Sequence, residues 1–267
     1  MNKKFKIWHL ILGAIVLFYA IPLLFIVLST FFNSPFLNQW DKMTFSGILD
    51  ILKNTRLVDS LFNSIFIGIF SALFGIIFST FYLNTVSSAL DKERKWHINI
   101  MSFPIFFPDI LWGLSLLIVS RILSVNTGYF FVILVHITFN CFLSYLILRD
   151  VFIHFPKSQL LSAKLFGMKS TEIFFKIIFP ANKMNFLGCF FLCFLYSFDD
   201  FLLTFLLGGS EVNTLPLFLY SKLKFGASVE IVSIAGVTTL INILIFFLIL
   251  KFSKNILNEY EIQMSNK

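Results

Sequence analysis

Apolar residues in this chain gather into six long runs, at about 8–32, 60–85, 98–122, 129–150, 183–207 and 233–252. A helix of ~20 such residues crosses the ~30 Å hydrocarbon layer of a bilayer. The pattern therefore predicts an all-α polytopic membrane protein with six transmembrane helices in a single domain over 1–267. The loops between the runs are unequal. Residues 33–59 form a long loop with turn residues Asn33, Ser34 and Pro35 and a short helical patch at Ile48, Leu49, Ile51 and Leu52. The 88–97 loop is short and charged, and the turn near 125–129 is tight. The tail after Phe252 is polar.

Composition agrees with a membrane setting. Hydrophobic residues make up 58% and charged residues 13%, about half the ~25% of a soluble domain. Lys and Arg are distributed unevenly, fifteen on the side that holds both termini and six on the other. The positive-inside rule then places both termini in the cytoplasm, and the same bias accounts for the net charge of +7. No basic soluble face is visible, so a nucleic-acid partner is not expected. Met-Asn-Lys-Lys-Phe-Lys at the start resembles a signal-peptide n-region, but the apolar run after it is too long. It is read as a retained first span.

Three cysteines, Cys141, Cys189 and Cys193, all fall within spans. Cys189 and Cys193 share a helical face, but no His or carboxylate completes a metal set. They are read as packing residues, without disulfides. The 38 Phe are read as lipid-facing and helix-packing residues.

The charges that do enter the spans are informative. Asp199 and Asp200 sit between the uncharged run 184–198 and the apolar run 201–207. An aspartate at mid-bilayer costs ~2.5–3.5 kcal/mol on insertion scales. The usual gain is a place for a cation or polar substrate during its crossing. No Gly-x-x-x-x-Gly-Lys-Ser/Thr occurs, so ATP binding is not expected in this chain.

One loop is not a linker. In 155–180, Ser158 is a candidate N-cap for a helix carrying Leu160, Leu161, Leu165 and Phe166. Gly167 is placed to end it. Ser170 is placed to cap a second helix with Glu172 in its first turn, and Pro180 marks a kink. Its apolar residues either lie on the membrane surface or insert into another protein.

Ala163, Gly167, Ile177 and Pro180 stand in the register of the EAA loop of ABC importer permease subunits, which this segment resembles. Leu161 occupies the family's glutamate position, Ser162 its first alanine, and Phe179 the leucine before the proline. The resemblance extends over nearly the whole chain, toward the PotC-type permeases of spermidine/putrescine importers. It is carried by Asn63-Ser64, Pro108-Asp109 with Gly113, His136-Ile137-Thr138-Phe139, Ser197-Phe198-Asp199-Asp200, Thr214-Leu215-Pro216, Tyr220-Ser221 and the stretch 226–230.

That resemblance implies a type I ABC importer permease fold in a bacterial cytoplasmic (inner) membrane, with a cytoplasmic coupling helix. It implies ATPase coupling through Leu160, Leu161, Ala163, Leu165, Phe166 and Gly167. The implied partners are a second homologous permease (PotB-like), an ATPase dimer (PotA-like), an extracytoplasmic substrate-binding protein (PotD-like) and membrane lipid. ATP and Mg would be bound by the ATPase, with no cofactor in this chain.

Asp199 and Asp200 are successive, so on an unbroken helix their side chains point ~100° apart. They then line two parts of one cavity wall, which suits a polycation with spaced ammonium groups, or else pair with a base or cap a local helix end. Asp109 is a candidate third carboxylate, and Trp112 and Tyr196 are candidates for cation–π contact. Ser197 is read as either a path hydroxyl or a packing hydroxyl. His136 is read as a hydrogen-bonded packing residue rather than a proton relay. Two alternatives compete with a polyamine permease: the same architecture for iron, thiamine or a phosphonate, and an intramembrane aspartyl enzyme. An anionic solute would want basic groups in the spans, and only Arg121 stands at a span edge. The enzyme would need two carboxylates converging from separate helices.

Overall fold

The structure is a computed structural model, and it describes residues 3–32, 48, 51, 53–86, 100–101, 103–226 and 228–265. Much of the expected 33–59 loop, including Trp40, the 88–97 loop and the first residues of the 98–122 run lie outside the described residues. Among the described residues the chain is helical, with turns between helices. Its contacts group it into two compact units.

The first unit holds residues 1–60 and 218–245. Its leading helix, α1 (Lys3–Ser29), contains a window with mean hydropathy 2.8, none of which is buried inside the chain. Side chains such as Leu12, Leu17 and Phe18 are correspondingly exposed, as lipid-facing residues are. Asn54 Nδ2 donates to Glu230 Oε1 at 2.6 Å within this unit.

The second unit, residues 61–217 and 246–267, carries the candidate site. It contains most of α2 (Thr55–Val86). A 3₁₀ turn, Phe103–Phe106, precedes α3 (Asp109–Ile122). Then come α4 (Tyr129–Ile153), α5 (Lys157–Leu165), α6 (Ser170–Ile173), a π-helical segment Phe174–Ile178 and α7 (Phe179–Ala181). After α8 (Lys183–Phe198) follow α9 (Leu202–Leu207), α10 (Leu215–Leu223) and α11 (Val229–Ser265), the last two shared with the first unit. Four of these helices are long and apolar enough to cross a membrane, in α1, α2, α4 and α11.

Two of the expected spans are not single helices. In the 98–122 run, the described helix α3 has 14 residues, about 21 Å of rise. Pro104 and Pro108 explain its late start. A proline ring blocks the helical conformation of the residue before it and removes an N–H, and Pro108 stands at the N-cap of α3 in an extended conformation. The 183–207 run breaks at 199–201, between α8 and α9. At its other end, the Ser170–Ala181 stretch meets α8 at an 85° bend. Pro180 has no N–H to give the carbonyl four residues back and clashes with it. The helix widens to π geometry just ahead of Pro180.

The second unit has two apolar cores. One gathers Tyr145, Leu148, Phe152, Phe155, Ala163, Ile173, Phe186 and Cys193 beneath α5. The other gathers Ile67, Val132, Val135, Phe139, Leu203 and Leu207, with Trp112 and Tyr196 against it.

Candidate functional site

The break between α8 and α9 gives the paired aspartates different surroundings. Asp199 is the C-cap of α8 and is exposed. The last carbonyls of a helix have no partner within it and carry its negative dipole end, so α8 terminates in an electronegative patch that the Asp199 carboxylate reinforces. Asp200 turns the other way. Its Oδ1 accepts from the Leu203 N–H at 3.3 Å, and its Oδ2 accepts from the Thr204 N–H and the Thr204 hydroxyl, both at 3.0 Å. The carboxylate thus satisfies the first donors of α9, as an N-terminal anion should. The same Oδ2 lies 3.4 Å from His136 Nε2, with the His136 side chain fully buried and that of Asp200 8% exposed. At that length the His136 contact is longer than a good hydrogen bond.

Asp109 opens α3, where a negative charge suits the helix dipole, and is half-buried. It lies within electrostatic range of Asp200, Tyr196 and His136. Three elements, α3, α4 and the α8–α9 break, therefore bring two carboxylates, an imidazole and a phenol together. The buried Tyr196 hydroxyl makes no hydrogen bond of good geometry among the described residues, although Asp109 and Asp200 are its electrostatic neighbours.

The aromatic residues form one array. The Phe139 ring stands edge-on to Trp112 at 6.2 Å and lies near-parallel to Tyr196 at 6.0 Å. Phe107 adds an edge contact to Trp112 at 6.3 Å. The Trp112 indole N–H donates to the Pro104 carbonyl at 3.2 Å. That carbonyl is four residues before Pro108, which has no N–H to offer it. The indole plane is thereby fixed by the same proline that starts the helix.

Ser197 is placed differently from the other sequence candidates. It is 4% exposed and turned into the packing of three helices. Its hydroxyl lies 3.0 Å from Ser71 Oγ on α2 and 2.9 Å from the Asn140 amide on α4. With the amide turned so that its oxygen accepts from both hydroxyls, its nitrogen donates to the Cys193 carbonyl at 3.2 Å. Ser144, one turn along α4, reaches Ser79 Oγ at 2.7 Å and the Gly75 carbonyl at 3.2 Å. Gly75 permits this approach, because a Cβ there would come within 2.8 Å of the Asn140 backbone. The sequence reading missed this network. Its signal was present as the polar and small positions 71, 75 and 79 facing 140 and 144, each series at helical spacing.

The helix–glycine–helix segment is present, with altered caps. α5 starts at Lys157 after Pro156, so Ser158 lies inside the helix rather than at its N-cap. Pro has no N–H to leave unsatisfied and its φ suits the position. Ser170 is the first residue of α6, and the cap is Lys169, whose N–H donates to Glu172 Oε2 at 3.0 Å. That bond and the Lys176 ammonium 3.4 Å away hold the Glu172 carboxyl below its usual pKa. Gly167, at φ 78°, ends α5 as predicted. Its N–H donates to the Lys164 carbonyl, and the Met168 N–H to that of Ala163, the paired bonds of a left-handed helix stop. Ala163 is buried and Leu160 half-buried, whereas Leu161, Leu165 and Phe166 are 61%, 88% and 87% exposed. Among the described residues no group of three or more His, Cys, Asp or Glu is arranged to hold a metal.

Comparison with known proteins bears on the whole arrangement. The chain is 25% identical over 234 residues to the spermidine/putrescine transport system permease protein PotC of Escherichia coli, covering 86% of this chain and 87% of that one. It is 30% identical over 165 residues to a PotC homolog of Mycoplasma pneumoniae, covering 56% and 57%. Its fold matches a chain of a bacterial ABC transporter that imports the acidic polysaccharide alginate. The TM-score is 0.68 at 18% identity, over 94% of this chain and 98% of that one. Residues 94–257 match the model of the binding-protein-dependent transport system inner membrane component, and that stretch includes α3, α4, the helix–glycine–helix segment and the α8–α9 break. The chain belongs to that family of inner-membrane transport components.

Proposed function

We propose that this chain is a permease subunit of an ATP-driven ABC importer and lines a path for polyamines of the spermidine/putrescine class. The single observation that carries the reading is the interrupted fifth span, which leaves Asp199 exposed at the electronegative end of α8. Fold alone does not select the solute, since a protein of the same fold belongs to a transporter involved in the import of an acidic polysaccharide. The site's chemistry favours a cation. Asp199 and Asp109 offer carboxylates to separate ammonium groups, the end of α8 offers carbonyl oxygens, and Trp112 and Tyr196 offer aromatic faces. Asp200 is engaged by α9 and His136 and positions the break instead of meeting the solute directly. Ser197 braces α8 against α2 and α4.

In this reading the chain makes six crossings as a single permease domain, with both termini in the cytoplasm. It pairs with a second, homologous permease (PotB-like), two ATPase subunits (PotA-like) that bind ATP and Mg, and an extracytoplasmic receptor (PotD-like). Closure of the ATPases on ATP moves α5. The bent connection through the π-helical segment carries that motion to α8, whose far end holds Asp199. The path then opens alternately to the two sides, a two-state bundle biased by ligands with unequal affinity for its states.

The test is ATP-dependent uptake of labelled spermidine by the reconstituted complex, comparing wild type with Asp199→Asn. Assembly and basal ATP hydrolysis are checked in both. Uptake by wild type and its loss in an assembled Asp199→Asn complex are expected. Equal uptake would remove Asp199 from the path, and no uptake by an assembled, hydrolysing wild type would sink the polyamine assignment.

A further inference from the structure

The outward face of α5 has an unusual charge for its position. Lys157, Leu161, Lys164 and Leu165 recur at i, i+4, i+7 and i+8, and so share about 100° of helical arc. All four are exposed, while Ala163 on the opposite face and Leu160 on the flank hold the helix to the core beneath. Lys169 adds a third exposed ammonium just past the glycine stop. Between Asp150 and Glu172 the chain has no carboxylate. Glu172 itself is engaged by the Lys169 N–H and by Lys176. The helix therefore presents two leucines flanked by ammonium groups, with leucine where the resembled loop carries glutamate.

We propose that the ATPase surface receiving α5 is an apolar groove with an acidic rim, its carboxylates facing Lys157 and Lys164 and its floor taking Leu161, Leu165 and Phe166. This rests on the importer reading above and adds the chemistry of the partner's surface to it. The argument is charge complementarity. Burying two leucines also desolvates the ammonium groups beside them, which have no carboxylate partner among the described residues; that is unfavourable unless the partner supplies opposite charge, and a basic groove suited to a glutamate would meet like charge here. A protein partner is favoured over a lipid surface because α5 is short, nine residues, and is held by its own buried face and glycine stop, so that Leu161 and Leu165 project as a fixed pair.

The experiment measures binding of the cognate ATPase to the full permease complex in nanodiscs of zwitterionic lipid, across a salt series. Wild type is compared with Lys157→Glu/Lys164→Glu and with Leu161→Glu, all at exposed positions. Binding that weakens with salt, by ~10-fold or more on double charge reversal, and weakens again in Leu161→Glu is expected. Unchanged binding in the reversed-charge variant, or tighter binding in Leu161→Glu, overturns the acidic groove while leaving the importer reading intact. Lysine sensitivity that appears only when anionic lipid is added makes the face a headgroup contact and also overturns the proposal. Failure of wild type to bind any ATPase overturns the importer reading and this inference together.

Discussion

The carboxylate of Asp200 stands 3.4 Å from the buried imidazole of His136, and that carboxylate is bonded to the first turn of α9 through Thr204. Its sequence neighbour Asp199 is exposed at the end of α8. Two adjacent, identical residues thus divide between holding the chain's shape and facing outward.

That division has a thermal signature. Asp200→Ala removes three bonds at a helix start and the carboxylate 3.4 Å from His136. A lost cap costs ~1 kcal/mol, and leaving buried donors without their hydrogen-bond acceptor costs about 1–3 kcal/mol. A clear fall in the melting temperature of the purified complex is expected, with Asp200→Asn intermediate. Asp199→Asn, at an exposed position, is expected to lower it less than Asp200→Ala. Equal destabilisation by Asp199→Asn and Asp200→Ala would contradict the division.

Gly75 sets the spacing of α2 and α4. Its added Cβ would meet the backbone of Asn140 and Cys141 at 2.8 and 2.9 Å, and backbone cannot rotate away as a side chain end can. Gly75→Ala is expected to cost at least ~1–3 kcal/mol and to lower the yield of assembled complex. Gly188→Ala, where a Cβ meets nothing within 4 Å, is the matched control and is expected to be neutral or slightly stabilising.

At Gly167 the cost is in the backbone alone. Nothing lies within 4 Å of an added Cβ, but φ is 78°. Gly167→Ala therefore pays for left-handed geometry, ~1–2 kcal/mol, without a clash. Fraying of the end of α5 is expected. The measurement is faster amide exchange at Met168, whose N–H bonds the Ala163 carbonyl, together with weaker stimulation of ATP hydrolysis by substrate.

Glu172 gives a local pH dependence with a definite sign. Its folded pKa is lowered, first by the Lys169 N–H and then by Lys176. A lowered carboxyl contributes stability that is complete well above its ordinary value of 4.5. That contribution fades as pH falls through that value and is gone below the folded one. Amide exchange at Lys169 is expected to accelerate over that window in wild type and to lose the pH-dependent step in Glu172→Gln.

The apolar runs announced the helices of α1, α2, α4 and α11, because lipid-facing helices need little beyond length and hydropathy. Gly167 was legible because a left-handed stop needs glycine. The breaks were harder. Pro180 was visible as punctuation, but the π geometry ahead of it was not, and the 98–122 run was read as one span although Pro108 delays its helix. The end of α8 carries no glycine or proline; the sequence left two readings open there, an unbroken helix with the aspartates ~100° apart on one wall and an aspartate capping a local helix end, and Asp200 does the second. The lateral bonds of Asn140 were also missed. A single asparagine in an apolar run looks like any tolerated polar residue until the serines of two other helices are placed beside it.

The three-helix network around Asn140 joins parts of the chain that are made at different times. Ser71 and Asn140 leave the ribosome well before Ser197, which follows Asn140 by 57 residues. Until α8 inserts, Asn140 has only α2 as a polar neighbour in the network. The late helix closes it: Ser197 and the Cys193 carbonyl, both on α8, complete the hydrogen bonding of the Asn140 amide only when all three helices are in place.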